Sequence, residues 1–283
     1  MSLRTYLTSY LTRYHIVMNT VMVFFWVAFF SQVPEVSAAG QSSLERLQVN
    51  LFGSLQDGTP VNLFKLKNSH GIEAHITDYG GILVSLWVPD RNGKFADIVL
   101  GYDDISGFEN DRSFQGSLIG RFGNRIAKGA FSIDGIKYQL ATNNKTNHLH
   151  GGVKGFGKQM WQAETFETEH SSGVILSRLS HDGEEGYPGN LLVKATYELT
   201  DNEGLKLTIS ASTDKATPVN LTQHAYYNLN GYASILGHRL LIPASQYTPV
   251  DETAIPLGEN QPVDNTPFDF RQLKAIGADI SQD

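Results

Sequence analysis

From residue 47 onward, apolar side chains recur at alternate positions in short runs separated by turn residues, the two-residue period of strands half-buried in a sheet. The runs fall at 47–52, 61–66, 72–76, 82–88 and 95–100, with turns at Gly58-Thr59-Pro60 and at Pro89-Asp90-Arg91-Asn92-Gly93. Further runs follow at 131–133, 136–140, 161–167, 173–179, 191–199, 205–211 and 219–229. Two pairs of them read as hairpins. Asp134-Gly135 is the two-residue signal for a type I′ turn. Asp201-Asn202-Glu203-Gly204 turns the second hairpin, which places Val193, Ala195, Tyr197 and Leu199 on one face. No 3.6-residue period lasts three turns between 47 and 100, and strands recurring about every ten residues predict an antiparallel sandwich or barrel.

With 283 residues, 41% of them hydrophobic, the chain can bury one sizeable core, and one all-β domain is expected over 40–283. A net charge of -7 with lysine and arginine scattered along the chain argues against a nucleic-acid partner, whose phosphates need a concentrated basic face. The absence of cysteine removes disulfides, thiolate metal sites and cysteine nucleophiles together. Residues 1–39 have a separate logic. Arg4 and Arg13 precede an apolar run from 16 to 30, followed by Pro34 and the small residues Ser37-Ala38-Ala39. That order reads as a secretory signal peptide cleaved near Ala38 or Ala39, with an uncleaved anchor as the alternative. It predicts a periplasmic or secreted protein, without a stable membrane partner once cleavage has occurred.

The polar groups with chemical potential concentrate in residues 120–152, which read GRFGNRIAKGAFSIDGIKYQLATNNKTNHLHGG. The Asp134-Gly135 hairpin separates Asn124-Arg125 from His148 and His150, so groups at its open end are expected to meet in space. Arginine offers a fixed fork of donors suited to adjacent hydroxyls or a carboxylate, and asparagine both donates and accepts. A buried salt bridge is the plainer role for Arg125. Of nine histidines, His150, set before Gly151-Gly152, and His224, among Asn220, Gln223, Tyr226 and Asn228, are the informative ones. His15 lies in the targeting segment. His70, His170, His181 and His238 sit in polar or turn contexts and read as idle, and His75 reads as a surface position on a strand. Imidazole titrates near neutrality and exchanges protons with sugar or carbonyl oxygens without a metal. His148 and His150, two apart on a strand, are expected on one face, but a zinc site would need a third ligand that spacing does not supply. Histidines satisfied by turn carbonyls are the structural alternative. Gly120, Gly123 and Gly129 lack the strand-loop-helix setting of a phosphate loop.

These residues resemble a family, the aldose 1-epimerases or galactose mutarotases. The resemblance is carried by Gly120-Arg121-Phe122-Gly123-Asn124-Arg125-Ile126, by Asn147-His148-Leu149-His150-Gly151-Gly152, and by Gly155-Phe156 with Trp161. It continues through Asp182-Gly183-Glu184-Glu185-Gly186-Tyr187-Pro188-Gly189-Asn190, through 220–229 and through 247–256. It implies a large antiparallel β-sandwich, the galactose mutarotase-like supersandwich, with a sugar cleft on one broad face. It implies that His224 is the proton donor, that His150 is its catalytic companion, and that Asn124, Arg125, His150, His224, Ala225 and Tyr226 contact the sugar. The implied reaction interconverts the α and β anomers of a free aldose such as galactose or glucose, without cofactor or metal.

Two departures accompany the resemblance. Gly157 stands where the family often has aspartate, outside the catalytic set. The general-base glutamate and a substrate-binding aspartate that the resemblance places after Phe268-Asp269-Phe270-Arg271 have no counterpart before Asp283. The expectation is therefore an impaired enzyme with unpaired strand edges. A sugar-binding module without turnover and a hexose-phosphate 1-epimerase are the alternatives, the latter disfavoured by the lack of a basic cluster.

Overall fold

The computed structural model describes residues 45–202 and 204–282. The signal-like segment and His15 lie outside them. The described residues begin with a five-stranded antiparallel meander: β1 (Leu47–Ser54), β2 (Pro60–Lys67), β3 (Glu73–Thr77), β4 (Leu83–Pro89) and β5 (Phe95–Asp97). One short helix follows, α1 (Ile105–Asn110), with the Asp104 carboxylate accepting from the Gly107 N–H at its start. Next come β6 (Leu118–Ile119), β7 (Arg125–Ile126), β8 (Ala130–Ile133), β9 (Ile136–Gln139) and β10 (His148–Leu149). A second meander, β11 (Gln162–Glu167), β12 (Ser171–Ser180), β13 (Leu191–Thr200) and β14 (Gly204–Thr213), forms a four-stranded sheet. The chain ends in short strands, β15 (Thr222–Gln223), β16 (Arg239–Leu240), β17 (Gln246–Tyr247), β18 (Gln261–Pro262) and β19 (Lys274–Ala275). β15 pairs with β6, β16 with β19 and β17 with β18.

The two meanders face each other, giving the expected all-β antiparallel sandwich. Phe64, Leu66, Ala74, Ile76 and Leu83 from one sheet share a core with Val174, Leu176, Val193, Ala195, Tyr197 and Leu199 from the other. Along β13 every second residue from Leu191 to Leu199 is buried while the residues between are partly or fully exposed, so a one-residue register slip would turn the whole apolar set outward. Each large side chain buried here contributes roughly 1.5–3 kcal/mol of transfer free energy. Tyr197, wholly buried, donates its hydroxyl to Gly81 O at 2.9 Å, which ties the sheets together without leaving a polar atom unpaired.

The hairpin turn at Asp134-Gly135 has φ of 49° and 78°, the two left-handed residues that a type I′ turn requires. Elsewhere the expected strands shorten. The run at 95–100 pairs as a strand only through Asp97, whose carboxylate takes the N–H groups of Leu86 and Val99 at 2.9 and 3.0 Å and so interrupts the ladder. The run at 219–229 is extended but changes partner along its length. Asn220 donates to Arg121 O, His224 to Ser117 O and Asn228 to Ile98 O, and only Thr222–Gln223 lasts long enough to count as strand. His75 is not the surface residue expected: it is half-buried, opposite Lys65 on one neighbouring strand and Ser85 on the other, and burial lowers its pKa.

Candidate functional site

The open end of the β8–β9 hairpin is closed by the pairing of β7 with β10, which sets Ile126 opposite His148 and Arg125 opposite Leu149. One residue beyond, Asn124 and His150 continue the exchange. The His150 N–H donates to Asn124 O at 3.0 Å, and the Asn124 N–H donates to the His150 ring Nδ1 at 2.9 Å. An Nδ1 that accepts carries no proton, so the neutral ring holds its hydrogen on Nε2. Both residues are left-handed, with φ of 60° and 51°, so the chain curls away from the pleat at this point.

That curl corrects the expectation that His148 and His150 share a face. His148 is completely buried. Its Nδ1 lies 2.8 Å from Ala141 O, which can only accept, so the ring proton sits on Nδ1 and Nε2 receives the Tyr187 hydroxyl at 2.7 Å. Both nitrogens are satisfied inside the protein, and His148 is structural.

His224 arrives from the other side, fixed by its main chain: its N–H donates to Ser117 O at 2.9 Å and its carbonyl accepts from the Gly116 N–H at 3.1 Å. Its ring stands edge-on to that of His150, centroids 5.1 Å apart, and 5.1 Å from the Tyr226 ring. Phe114, itself at φ 61°, closes the group at 4.8 Å from His150 and 6.1 Å from His224. Among the described residues neither nitrogen of His224 has a hydrogen-bond partner, and neither His150 nor His224 pairs with a carboxylate.

Arg125 donates Nε to Asn144 Oδ1 and Nη1 to Asn124 Oδ1, both at 3.2 Å. It makes no salt bridge among the described residues, so the structural role weighed for it is not observed and part of its donor fork is uncommitted. The Tyr226 hydroxyl donates to Ser113 O at 3.1 Å. Ala225 packs against the core and gives its N–H to Gln223 Oε1, so it offers the site little beyond its backbone. Burial, then the neighbouring His224 and Arg125 charges, push the His150 pKa down from 6.5 to about 4. A cavity of about 380 Å³ opens beside His150, walled in part by Arg112, Phe114, Asn144 and Val153. Among the described residues no group of three or more His, Cys, Asp or Glu side chains is placed to hold a metal ion.

The buried arginine of this region is Arg121, not Arg125. Its guanidinium donates to Ser180 Oγ and to the carbonyls of Ser180, His181 and Pro188, all within 2.9 Å. Sequence reasoning also passed over Phe114 and the amides of Asn143 and Asn147. Asn143 spans Leu149 and Gly152, and Asn147 links Lys128 to Thr253. The run Thr142-Asn143-Asn144-Lys145-Thr146-Asn147 at the hairpin's mouth was the available signal for the amides; Phe114 had none.

Two imidazoles, an arginine fork and amide groups thus gather at the strand ends of a two-sheet antiparallel β-sandwich. The sequence profile of the aldose 1-epimerase family matches residues 62–283. The chain is 45% identical over 230 residues to a galactose mutarotase from Homo sapiens, covering 80% of this chain and 66% of that protein. It is 37% identical over 228 residues to an aldose 1-epimerase from Escherichia coli (strain K12), covering 80% of this chain and 65% of the relative. The chain thus spans just under two thirds of the length of these relatives. Among solved structures, galactose 1-epimerase from Lactobacillus acidophilus superposes with a TM-score of 0.73 at 30% identity, covering 82% of this chain and 68% of that one. An aldose epimerase homologue from C. elegans gives 0.71 at 34%, covering 76% and 66%. The chain belongs to the aldose 1-epimerase family.

Proposed function

We propose that this chain binds a free aldose, galactose or glucose in type, against His150, His224, Arg125 and Asn124, and contributes the acid to interconversion of its anomers. The observation that carries the reading is the contrast between the two imidazoles. His150 is locked by its Nδ1 contact and its pKa near 4 keeps it neutral, so it acts as an Nε2–H donor to a sugar oxygen and not as a proton shuttle. Among the described residues neither nitrogen of His224 is engaged, and its ring centroid lies 5.1 Å from that of His150.

In the reaction, His224 gives a proton to the ring oxygen as the bond from that oxygen to C1 breaks, and the O1 hydroxyl passes its proton to solvent water as the C1 carbonyl forms. Rotation about C1–C2 presents the other carbonyl face, and reversal of both transfers closes the second anomer. Arg125 and Asn124 hold hydroxyls while C1 turns, keeping the open chain near its attack geometry. Only protons move, so the chemistry calls for no redox or group-carrying cofactor. No carboxylate among the described residues is bonded to either ring, and the base is assigned to none of them.

Polarimetry of freshly dissolved α-galactose tests this. The chain should accelerate the optical change over buffer, and His224→Asn should reduce the acceleration on the order of 10²–10⁴-fold. An unchanged rate in the variant would overturn the assignment of His224. That neither ring pairs with a carboxylate among the described residues favours a second reading, sugar binding without turnover; retained galactose affinity with no acceleration in the unaltered chain would select it.

A further inference from the structure

The loop at residues 181–190 has no part in the chemistry above, yet it holds the segment carrying His150 from both sides. Upstream, the Tyr187 hydroxyl donates to His148 Nε2 at 2.7 Å. Downstream, the Glu185 carboxylate takes two consecutive amides, Val153 N–H on Oε2 at 3.0 Å and Lys154 N–H on Oε1 at 2.7 Å. A carboxylate receiving two main-chain donors is a charge-assisted clamp, stronger than a neutral pair. Gly152 makes the approach possible: a Cβ there would stand 2.0 Å from Glu185 Oε2.

The clamp is anchored. Glu185 sits in the left-handed region with φ 50°. The loop is bound to Arg121 through the carbonyls of His181 and Pro188. Glu184, its neighbour, is fixed by a two-point pair with Arg178 at 2.9 and 2.7 Å. Glu185 itself pairs with no cation among the described residues, so its charge is directed to the two amides.

We infer that Glu185 is a positioning residue: by fixing the turn after His150 it holds that ring's Nδ1 on the Asn124 amide and so keeps Nε2–H presented to the ligand. The effect on the ligand rests on the function proposed above, whereas the effect on the ring does not. Substitution of Glu185 should release the turn, loosen the Nδ1 contact and let the ring sample both tautomers.

The experiment uses the full chain with ¹⁵N-labelled histidine, compared with Glu185→Ala and Glu185→Gln. Long-range ¹H–¹⁵N spectra report the His150 tautomer, backbone amide spectra report folding, and galactose titration reports affinity. The unaltered chain should show His150 as a single Nε2–H tautomer. Glu185→Ala should move the Nδ1 resonance toward the two-tautomer average and weaken galactose binding roughly tenfold. Glu185→Gln, which keeps one acceptor oxygen, should fall between, and it carries the test if the alanine variant does not fold. His150 ring resonances in a folded Glu185→Gln that superpose on the unaltered chain would overturn the inference. A tautomer shift in a protein that binds no galactose would support the clamp while removing the proposed ligand.

Discussion

The ionisation of His150 is the most exposed claim at the scale of single residues. The folded chain holds this ring neutral down to about pH 4, whereas an unfolded histidine protonates near 6.5, so between those values the unfolded state binds more protons. Stability from this group is complete above about pH 6.5 and is lost as the pH falls toward 4. The loss should total about 3 kcal/mol. His148, its pKa also lowered by burial, acts in the same direction. Urea denaturation at a series of pH values should show the decline, and His150→Gln should flatten it by about that amount; a variant with an unaltered slope would show that His150 is not held neutral. Sequence alone marked His150 and His224 as informative because of their neighbours. It could not show that His148 and His150 have opposite tautomers, since the left-handed turn at His150 comes from its exchange with Asn124 and not from the alternation of the strand.

For the elements, legibility followed the length of uninterrupted pairing. β12, β13 and β14 pair continuously over nine or more residues, and their alternation was plain in the sequence. Residues 219–229 carry a similar pattern but serve several partners in turn, and periodicity does not report a change of partner. The close packing of two loops explains why Gly151 is glycine: it has φ 83°, and a Cβ there would meet Gly120 O at 1.6 Å. Gly58, with φ 87°, faces open space. Gly151→Ala should therefore cost roughly 2–4 kcal/mol from overpacking and left-handed strain together, against about 1 kcal/mol for Gly58→Ala. Thermal denaturation of the pair checks this, and equal losses would mean that the contact between residues 120 and 151 is looser than described.

Over the molecule as a whole, the two facing sheets supply the core and the segments at their ends carry the polar groups of the candidate site. The sandwich core was readable from alternation, while the choice between sandwich and barrel was not, because it depends on which sheet faces pack together. The site draws on residues about a hundred positions apart, 124–150 and 224, and they meet because His224 exchanges main-chain bonds with Ser117 and Gly116 beside β6. The proposed function requires these two imidazoles to face one bound aldose. Galactose titrated into the full chain while the His150 and His224 ring resonances are followed is the decisive measurement. Both rings should shift together along one saturation curve, with His70 and His181 unmoved. Saturable galactose binding that leaves both His150 and His224 unshifted would place the sugar elsewhere on the protein.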